Sequence, residues 1–137
     1  MSKKSLLLPP EPKHHLLIVD DDEDTGEILV EYFEERYFKA FHVLNADDAF
    51  SYLNKHRVDV VLTNVNMPGM NGFEMTEIIK KKYPVRVIIF TGYTPNGTRR
   101  NAYRVGANAY FPKPVTFDQV YRTALKLARE DVVYIGQ

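Results

Sequence analysis

Acidic side chains crowd the stretch that follows the first apolar run of the chain. The run LLIV is followed by five acids, which are Asp20, Asp21, Asp22, Glu23 and Asp24. Neighbouring carboxylates repel one another, and a hard divalent cation with oxygen ligands relieves that repulsion. For the last three acids a solvated helix N-terminus, where acids are favourable, is the better explanation. Asp20 and Asp21 adjoin the predicted strand directly, and we predict that this pair binds a metal ion.

Three further polar residues come directly after later apolar runs. Asn64 ends the stretch DVVLTN, Thr91 follows VRVIIF, and Lys113 lies in FPKPV between two prolines. A lysine held near a carboxylate pair can bridge to it, or to a phosphoryl group, as a point charge. A threonine hydroxyl alone means little, because threonine is common in strands. The evidence for a site is therefore the order of these residues, each at the end of a predicted strand.

Such residues can meet only if the apolar runs form one sheet. Short unbroken aliphatic runs are typical of strands covered on both faces. The predicted strands are Leu16–Val19, Phe41–Leu44, Val58–Thr63, Val85–Phe90 and Ala109–Phe111. Segments with helical spacing follow each of them, and the one at 96–105 is the weakest because it is polar and contains glycine. This alternation predicts an α/β doubly wound, five-stranded parallel sheet with about five helices, and ligands bind at the carboxyl ends of its strands.

Composition limits the functions that the chain can perform. Its 137 residues suit one domain, and 18 basic against 18 acidic side chains leave no net charge to attract nucleic acid or an anionic membrane. There is no cysteine, which excludes disulfides and thiolate catalysis. No apolar run approaches the roughly 20 residues of a membrane helix. We expect a soluble, cytoplasmic protein with a flexible tail at 1–13, one domain at 14–130, and a C-terminal extension or the start of a linker at 131–137.

The segments LLIVDDD, VLTNVNMPGMNGFEM, VIIFTGY and GANAYFPKPV resemble, in this order, the receiver domain of two-component response regulators. The resemblance covers about Leu16–Ala128 and implies a flavodoxin-like fold with strand order 2-1-3-4-5. It also implies a magnesium site, in which Asp21 binds the ion directly, Asp20 binds it through water, and the backbone carbonyl of Asn66 is a further ligand.

The same resemblance assigns roles to three residues of the later strands. Thr91 and Lys113 would contact the phosphoryl group, and Thr91 together with Tyr110 would form the conformational switch of the family. The Lys113–Pro114 bond matches one that is often cis, as only a bond to proline readily is.

Partners are implied by the resemblance as well. They are a sensor histidine kinase or phosphotransfer protein, and a downstream output protein or domain. The expected partner surface, through which a homodimer could also form, is the face of the fourth helix, fifth strand and fifth helix. It would include some of Arg99, Arg100, Tyr103 and Arg104, a small basic patch for which a solvated helix surface is the simpler explanation.

Position 64 departs from the family pattern. The phosphoacceptor aspartate of the family falls on Asn64, and a neutral amide oxygen is a poor nucleophile towards phosphorus. The change also removes one anionic metal ligand, so that magnesium binding is expected to be weaker. Two origins remain open. One is a deliberate block in an otherwise working receiver, and the other is a natural pseudo-receiver that signals by binding alone.

Two other chemistries match parts of the acidic stretch. An Asp-x-Asp pattern after a first strand also occurs in haloacid-dehalogenase-like phosphatases, but these need a further acidic motif after a later strand, and none follows VIIF or AYF. Asp20, Asp22, Asp24 and Glu31 have the spacing of a calcium-binding EF-hand loop, yet the turn position holds Thr25 instead of glycine. We therefore predict a receiver that is not an enzyme, with a phosphorylation-independent interaction module as the alternative and a phosphatase as a remote one.

Overall fold

A computed structural model describes residues 14–130, which form one parallel sheet with helices on both faces. The strands are β1 (His14–Val19), β2 (Phe38–Val43), β3 (Val60–Thr63), β4 (Arg86–Thr91) and β5 (Ala109–Pro112). The helices are α1 (Glu23–Glu34), α2 (Ala46–Lys55), α3 (Gly72–Lys82), α4 (Thr98–Arg104) and α5 (Phe117–Arg129). The strand order is β2-β1-β3-β4-β5, with every pair parallel. The predicted flavodoxin-like architecture is confirmed, and the predicted tail and C-terminal extension lie outside the described residues.

The sheet is covered on both faces because successive strand residues alternate between two apolar layers. Leu17 and Val19 of β1 pack with α2, α3 and α4, in a cluster that includes Met75. Leu16 and Ile18 point the other way, towards α1 and α5. Both sets are buried, which explains why β1 has an unbroken apolar sequence.

Side-chain caps begin four of the five helices. Asn45 and Thr116 cap α2 and α5, and both residue types are favoured at this position. Asp22 caps α1, which confirms the helix-start explanation for that part of the acidic stretch. Asn71 caps α3 in a reciprocal capping box with Glu74.

The observed strand boundaries differ from the predicted ones: β1 begins two residues earlier, at His14, β4 is displaced by one residue, β5 ends one residue later, and β2 and β3 differ as follows. β2 begins at Phe38 and ends at Val43, whereas Phe41–Leu44 was predicted. It is an edge strand in which exposed Lys39 and Phe41 alternate with buried neighbours, so that an unbroken apolar run does not mark its beginning. β3 begins two residues later than predicted, at Val60, which pairs with Leu16 of β1.

Two weaker expectations about local structure are confirmed. The polar segment at 96–105 does contain a helix, α4, which begins after Gly97 at a positive φ of 87°. The Lys113–Pro114 peptide bond is cis.

Candidate functional site

Four of the predicted site residues lie at one edge of the sheet. Asp20 follows β1, Asn64 follows β3, Thr91 is the last residue of β4, and Lys113 follows β5. These four strands are neighbours and run parallel, so their carboxyl ends meet at the same edge. The ammonium nitrogen of Lys113 lies 3.9 Å from a carboxylate oxygen of Asp20. The structure therefore brings together residues that are far apart in the sequence.

Asp20 is the buried acid of the site, with 4% of its surface exposed. Its carboxylate accepts a hydrogen bond of 2.9 Å from the backbone N–H of Asp22 and faces Lys113. Burial raises the pKa of Asp20, and both the hydrogen bond from Asp22 and the charge of Lys113 act against that increase. A carboxylate that has lost much of its hydration is suited to a cation that restores the lost charge compensation.

The next two acids of the stretch have different environments. Asp21 is exposed beside Asp20 at the edge of the sheet. Asp22 is also exposed, but its carboxylate accepts hydrogen bonds from the hydroxyl of Thr25 and the N–H of Asp24. The bond from Thr25 is the main cause of a lowered pKa of Asp22. Asp22 thus caps the first turn of α1, whereas the exposed side chain of Asp21 lies next in sequence to the buried acid Asp20.

Both polar atoms of the Asn64 side-chain amide make hydrogen bonds. Its oxygen accepts a hydrogen bond of 2.9 Å from the backbone N–H of Val65. Since that N–H can only donate, the amide nitrogen must point the other way, and it lies 3.3 Å from the carbonyl oxygen of Asn66. That carbonyl is the predicted backbone ligand for a metal ion. In this structure an N–H of the replacing amide is directed at it.

A glycine that sequence analysis missed supports the Asn64 loop. The N–H of Gly72, the first residue of α3, donates a 2.8 Å hydrogen bond to the carbonyl of Val65. A Cβ atom at Gly72 would lie 2.2 Å from the carbonyl oxygen of Asn64 and 2.9 Å from the Cα of Val65. Only a residue without a side chain allows the helix to begin so close to this loop. The sequence signal was the Asn-Gly pair at the start of the helix.

The two proposed phosphoryl-contacting residues lie on β4 and directly after β5. Thr91 is fully buried, and its hydroxyl accepts a 3.0 Å hydrogen bond from the N–H of Tyr93. The backbone N–H of Lys113 donates to the carbonyl of Thr91 at 2.8 Å. The ammonium of Lys113 also lies 4.8 Å from the ring centre of Phe90. β4 therefore orients Lys113 towards the carboxylate of Asp20.

Tyr110, the predicted switch residue, points into the protein. Its side chain belongs to the apolar layer under α2, α3 and α4, with 6% of the residue exposed. Burial raises the pKa of the Tyr110 hydroxyl. The guanidinium carbon of Arg99 lies 5.0 Å from the ring centre, within the range of a cation–π contact. Tyr110 is thus held between the core and a residue of α4.

The donor atoms at the site are oxygens, which suit a hard divalent cation. Asp20 and Asp21 supply carboxylate oxygens and Asn66 a carbonyl oxygen, which are the ligand types that Mg²⁺ prefers. Among residues 14–130, no three acidic, histidine or cysteine side chains are grouped so that they could hold a metal ion. Asp20 and Asp21 are two acids, and position 64 holds an amide instead of a third.

The fold and the site together define a class of protein: a doubly wound α/β domain with an acid pair, a hydroxyl and a lysine at the carboxyl ends of neighbouring parallel strands. The family model described as response regulator receiver domain matches residues 16–125. The chain belongs to this family.

Relatives of known function support the assignment. The heme response regulator HssR of Staphylococcus saprophyticus is 33% identical over 107 residues, which are 77% of this chain and 48% of HssR. The sporulation initiation phosphotransferase F of Bacillus subtilis is 33% identical over 100 residues, covering 72% of this chain and 80% of that protein. The chain thus spans about half the length of HssR, and it spans 16% of the transcriptional regulator NtrC of Proteus hauseri.

Solved structures have the same fold. The response regulator TrrA of Thermotoga maritima, in complex with Mg²⁺ and BeF, is 28% identical and superposes with a TM-score of 0.74 over 84% of this chain and 99% of TrrA. The non-phosphorylated HemR receiver domain of Leptospira biflexa has a TM-score of 0.79 at 23% identity, over 90% of this chain and all of that one. None of the helices in the part of the chain that the structure describes could span a membrane.

Proposed function

We propose that this chain is a receiver domain, over residues 14–130, that relays a two-component signal through protein contacts and forms no acyl phosphate at position 64. The observation that carries the proposal is the amide of Asn64 at the end of β3, with both of its ends hydrogen-bonded to neighbouring backbone. Asp20, Thr91 and Lys113 lie at the same edge of the sheet, at or directly after the ends of β1, β4 and β5, and Asn64 is the residue of this set that departs from the family pattern.

The chemistry of phosphoryl transfer explains why this one side chain matters. In such a transfer an anionic aspartate oxygen attacks the phosphorus of a phosphohistidine; the new O–P bond gives an acyl phosphate, the P–N bond breaks, and the histidine imidazole leaves. The amide oxygen of Asn64 carries no charge and accepts a hydrogen bond from Val65. The side chains of Lys113 and Thr91 can neutralise and orient a phosphoryl group, but no nucleophile stands at the strand end.

Magnesium fits the retained oxygen donors, and we propose that it binds with reduced affinity. Asp21 would bind it directly, Asp20 through water, and Asn66 through its carbonyl. When bound, the ion would neutralise phosphoryl oxygens. The loss of one anionic ligand weakens the charge balance, and the amide N–H of Asn64 competes for the Asn66 carbonyl.

The metal assignment predicts unequal effects of substituting neighbouring acids. In an Asn64→Asp background, Asp21→Ala is expected to weaken Mg²⁺ binding at least tenfold, because it removes a charged ligand. Asp22→Ala is the matched control, since its carboxylate caps α1; it should lower the stability because a helix cap is lost, and leave Mg²⁺ affinity nearly unchanged. Calorimetric Mg²⁺ titration and urea unfolding measure the two quantities. Equal losses of Mg²⁺ affinity in both variants would contradict the assignment.

The partner surface of the proposal is the face of α4, β5 and α5. Arg99, Arg100, Tyr103 and Arg104 of α4 are exposed, and Arg99 contacts Tyr110 of β5. Partners of this class are a sensor histidine kinase or phosphotransfer protein and an output protein or domain, in the cytoplasm, and a homodimer through this face is a further possibility of the class. The contact of Arg99 with Tyr110 connects this face to the buried switch residue, so that a partner on α4 can act on Tyr110.

Intact mass spectrometry tests the absence of phosphorylation. The chain is incubated with a small phosphodonor and Mg²⁺, and its mass is expected to remain unchanged because position 64 holds no carboxylate. A stoichiometric gain of one phosphoryl group, located to the β3–α3 loop by peptide mapping, would overturn the proposal and favour an unrecognised acceptor.

A further inference from the structure

β2 ends beside the acidic loop and holds the backbone of Asp20 at two points. The Nε2 atom of His42 lies 2.8 Å from the carbonyl oxygen of Asp20. A carbonyl oxygen can only accept, so Nε2 carries the hydrogen and donates it. The carbonyl of the next residue, Val43, accepts a hydrogen bond of 3.1 Å from the N–H of Asp20. Both backbone polar groups of Asp20 are therefore bound by adjacent residues of one strand.

Helix α1 leaves room for the imidazole ring. Gly26 is buried in the first turns of α1, and a Cβ atom there would lie 2.1 to 2.2 Å from three atoms of the His42 ring. Glycine is disfavoured inside a helix, so its presence needs a reason. The reason is steric, since the ring of His42 occupies the volume that any other side chain would fill.

We infer that His42, seated against Gly26, is a positioning residue for the acid pair. The peptide group that joins Asp20 to Asp21 is planar, so that a hydrogen bond to the Asp20 carbonyl sets the orientation of the plane that leads into Asp21. Asp20 is fixed independently through its carboxylate, by Asp22 and Lys113. Asp21 is exposed, and the direction of its carboxylate depends on that peptide plane. The inference rests on the proposed function in one respect, which is that Asp21 binds the metal ion.

A metal titration tests the positioning role. In the Asn64→Asp background, His42→Phe keeps an aromatic ring against Gly26 and removes the donor, and we expect Mg²⁺ affinity to fall about tenfold. His42→Gln retains an N–H donor and should recover much of that loss. The matched control is His56→Phe, because His56 is exposed at the end of α2 and its ring stacks on Tyr52. Unchanged Mg²⁺ affinity in His42→Phe would overturn the inference.

Metal-free measurements separate this inference from the proposed function. In the chain with Asn64, His42→Phe is expected to shift the backbone amide NMR signals of Asp21 and Asp22, and His56→Phe to leave them in place. Gly26→Ala should lower the melting temperature when His42 is present and should not lower it in a His42→Ala background, where the ring is absent. If the amide signals of Asp21 and Asp22 do not shift, the positioning role of His42 is wrong. If Gly26→Ala changes the melting temperature equally in both backgrounds, the role of Gly26 as the seat of the His42 ring is wrong. If instead the Asn64→Asp variant binds no Mg²⁺ while these metal-free results hold, the proposed metal site is wrong and His42 still positions the loop.

Discussion

An Asn64→Asp variant is expected to gain one phosphoryl group from a small phosphodonor in the presence of Mg²⁺, whereas the chain with Asn64 gains none. The substitution places an anionic oxygen at the end of β3, the strand between those that lead to Asp20 and Thr91. It also supplies a third carboxylate for the metal ion, and it removes the amide N–H that is directed at the Asn66 carbonyl. Nucleophile, metal ligand and free carbonyl are thus restored by one change.

Asn66→Asp is the matched control for this experiment. It makes the same chemical change two residues further along, at an exposed position whose predicted contribution is its backbone carbonyl. Intact mass spectrometry should show a new species for Asn64→Asp only, and removal of Mg²⁺ by a chelator should abolish it. If a folded Asn64→Asp variant remains unmodified, the surrounding residues do not form a working receiver site, and a phosphorylation-independent interaction module becomes the better explanation of the chain.

A Gly72→Ala substitution is expected to lower the free energy of unfolding by about 2 kcal/mol, the usual cost of forcing atoms into a packed interior. In an ordinary helix the same change would stabilise the protein, because alanine is the better helix former. At Gly72 the change is expected to lower the free energy of unfolding instead, because the new methyl group would lie 2.2 Å from the carbonyl oxygen of Asn64. That oxygen is a backbone atom and cannot rotate away. The β3–α3 loop must then move together with Asn64.

Gly92→Ala provides the comparison, since a Cβ atom at Gly92 meets no atom within 4 Å and its φ is not in the left-handed range. Urea unfolding of both variants should show a large loss for Gly72→Ala and a change within about 0.5 kcal/mol for Gly92→Ala. Backbone NMR shifts at Val65 and Asn66 report whether the loop has moved. A Gly72→Ala variant that is as stable as the parent chain would show that the helix start can shift without cost.

Much of the site could be predicted because its residues directly follow apolar runs. Each of the four residues at the sheet edge ends a strand or directly follows one; they are Asp20, Asn64, Thr91 and Lys113. Strands that are buried on both faces can be recognised in the sequence as unbroken aliphatic runs. Once alternating strands and helices are recognised, a parallel sheet places all four at one edge. The edge strand β2 was misplaced for the opposite reason, since one of its faces is partly exposed and its pattern alternates.

The sequence by itself therefore determined the fold class, the set of residues at the strand ends and the missing carboxylate at position 64. Those properties depend on residue type and on order along the chain, which the sequence contains. Only the tertiary structure decided how these residues are held: the amide of Asn64 directed at the Asn66 carbonyl, Gly72 against the loop, and Tyr110 buried beside Arg99. The contact of His42 with the backbone of Asp20 is of the same kind, because it joins residues 22 apart through a backbone atom that no side-chain pattern encodes.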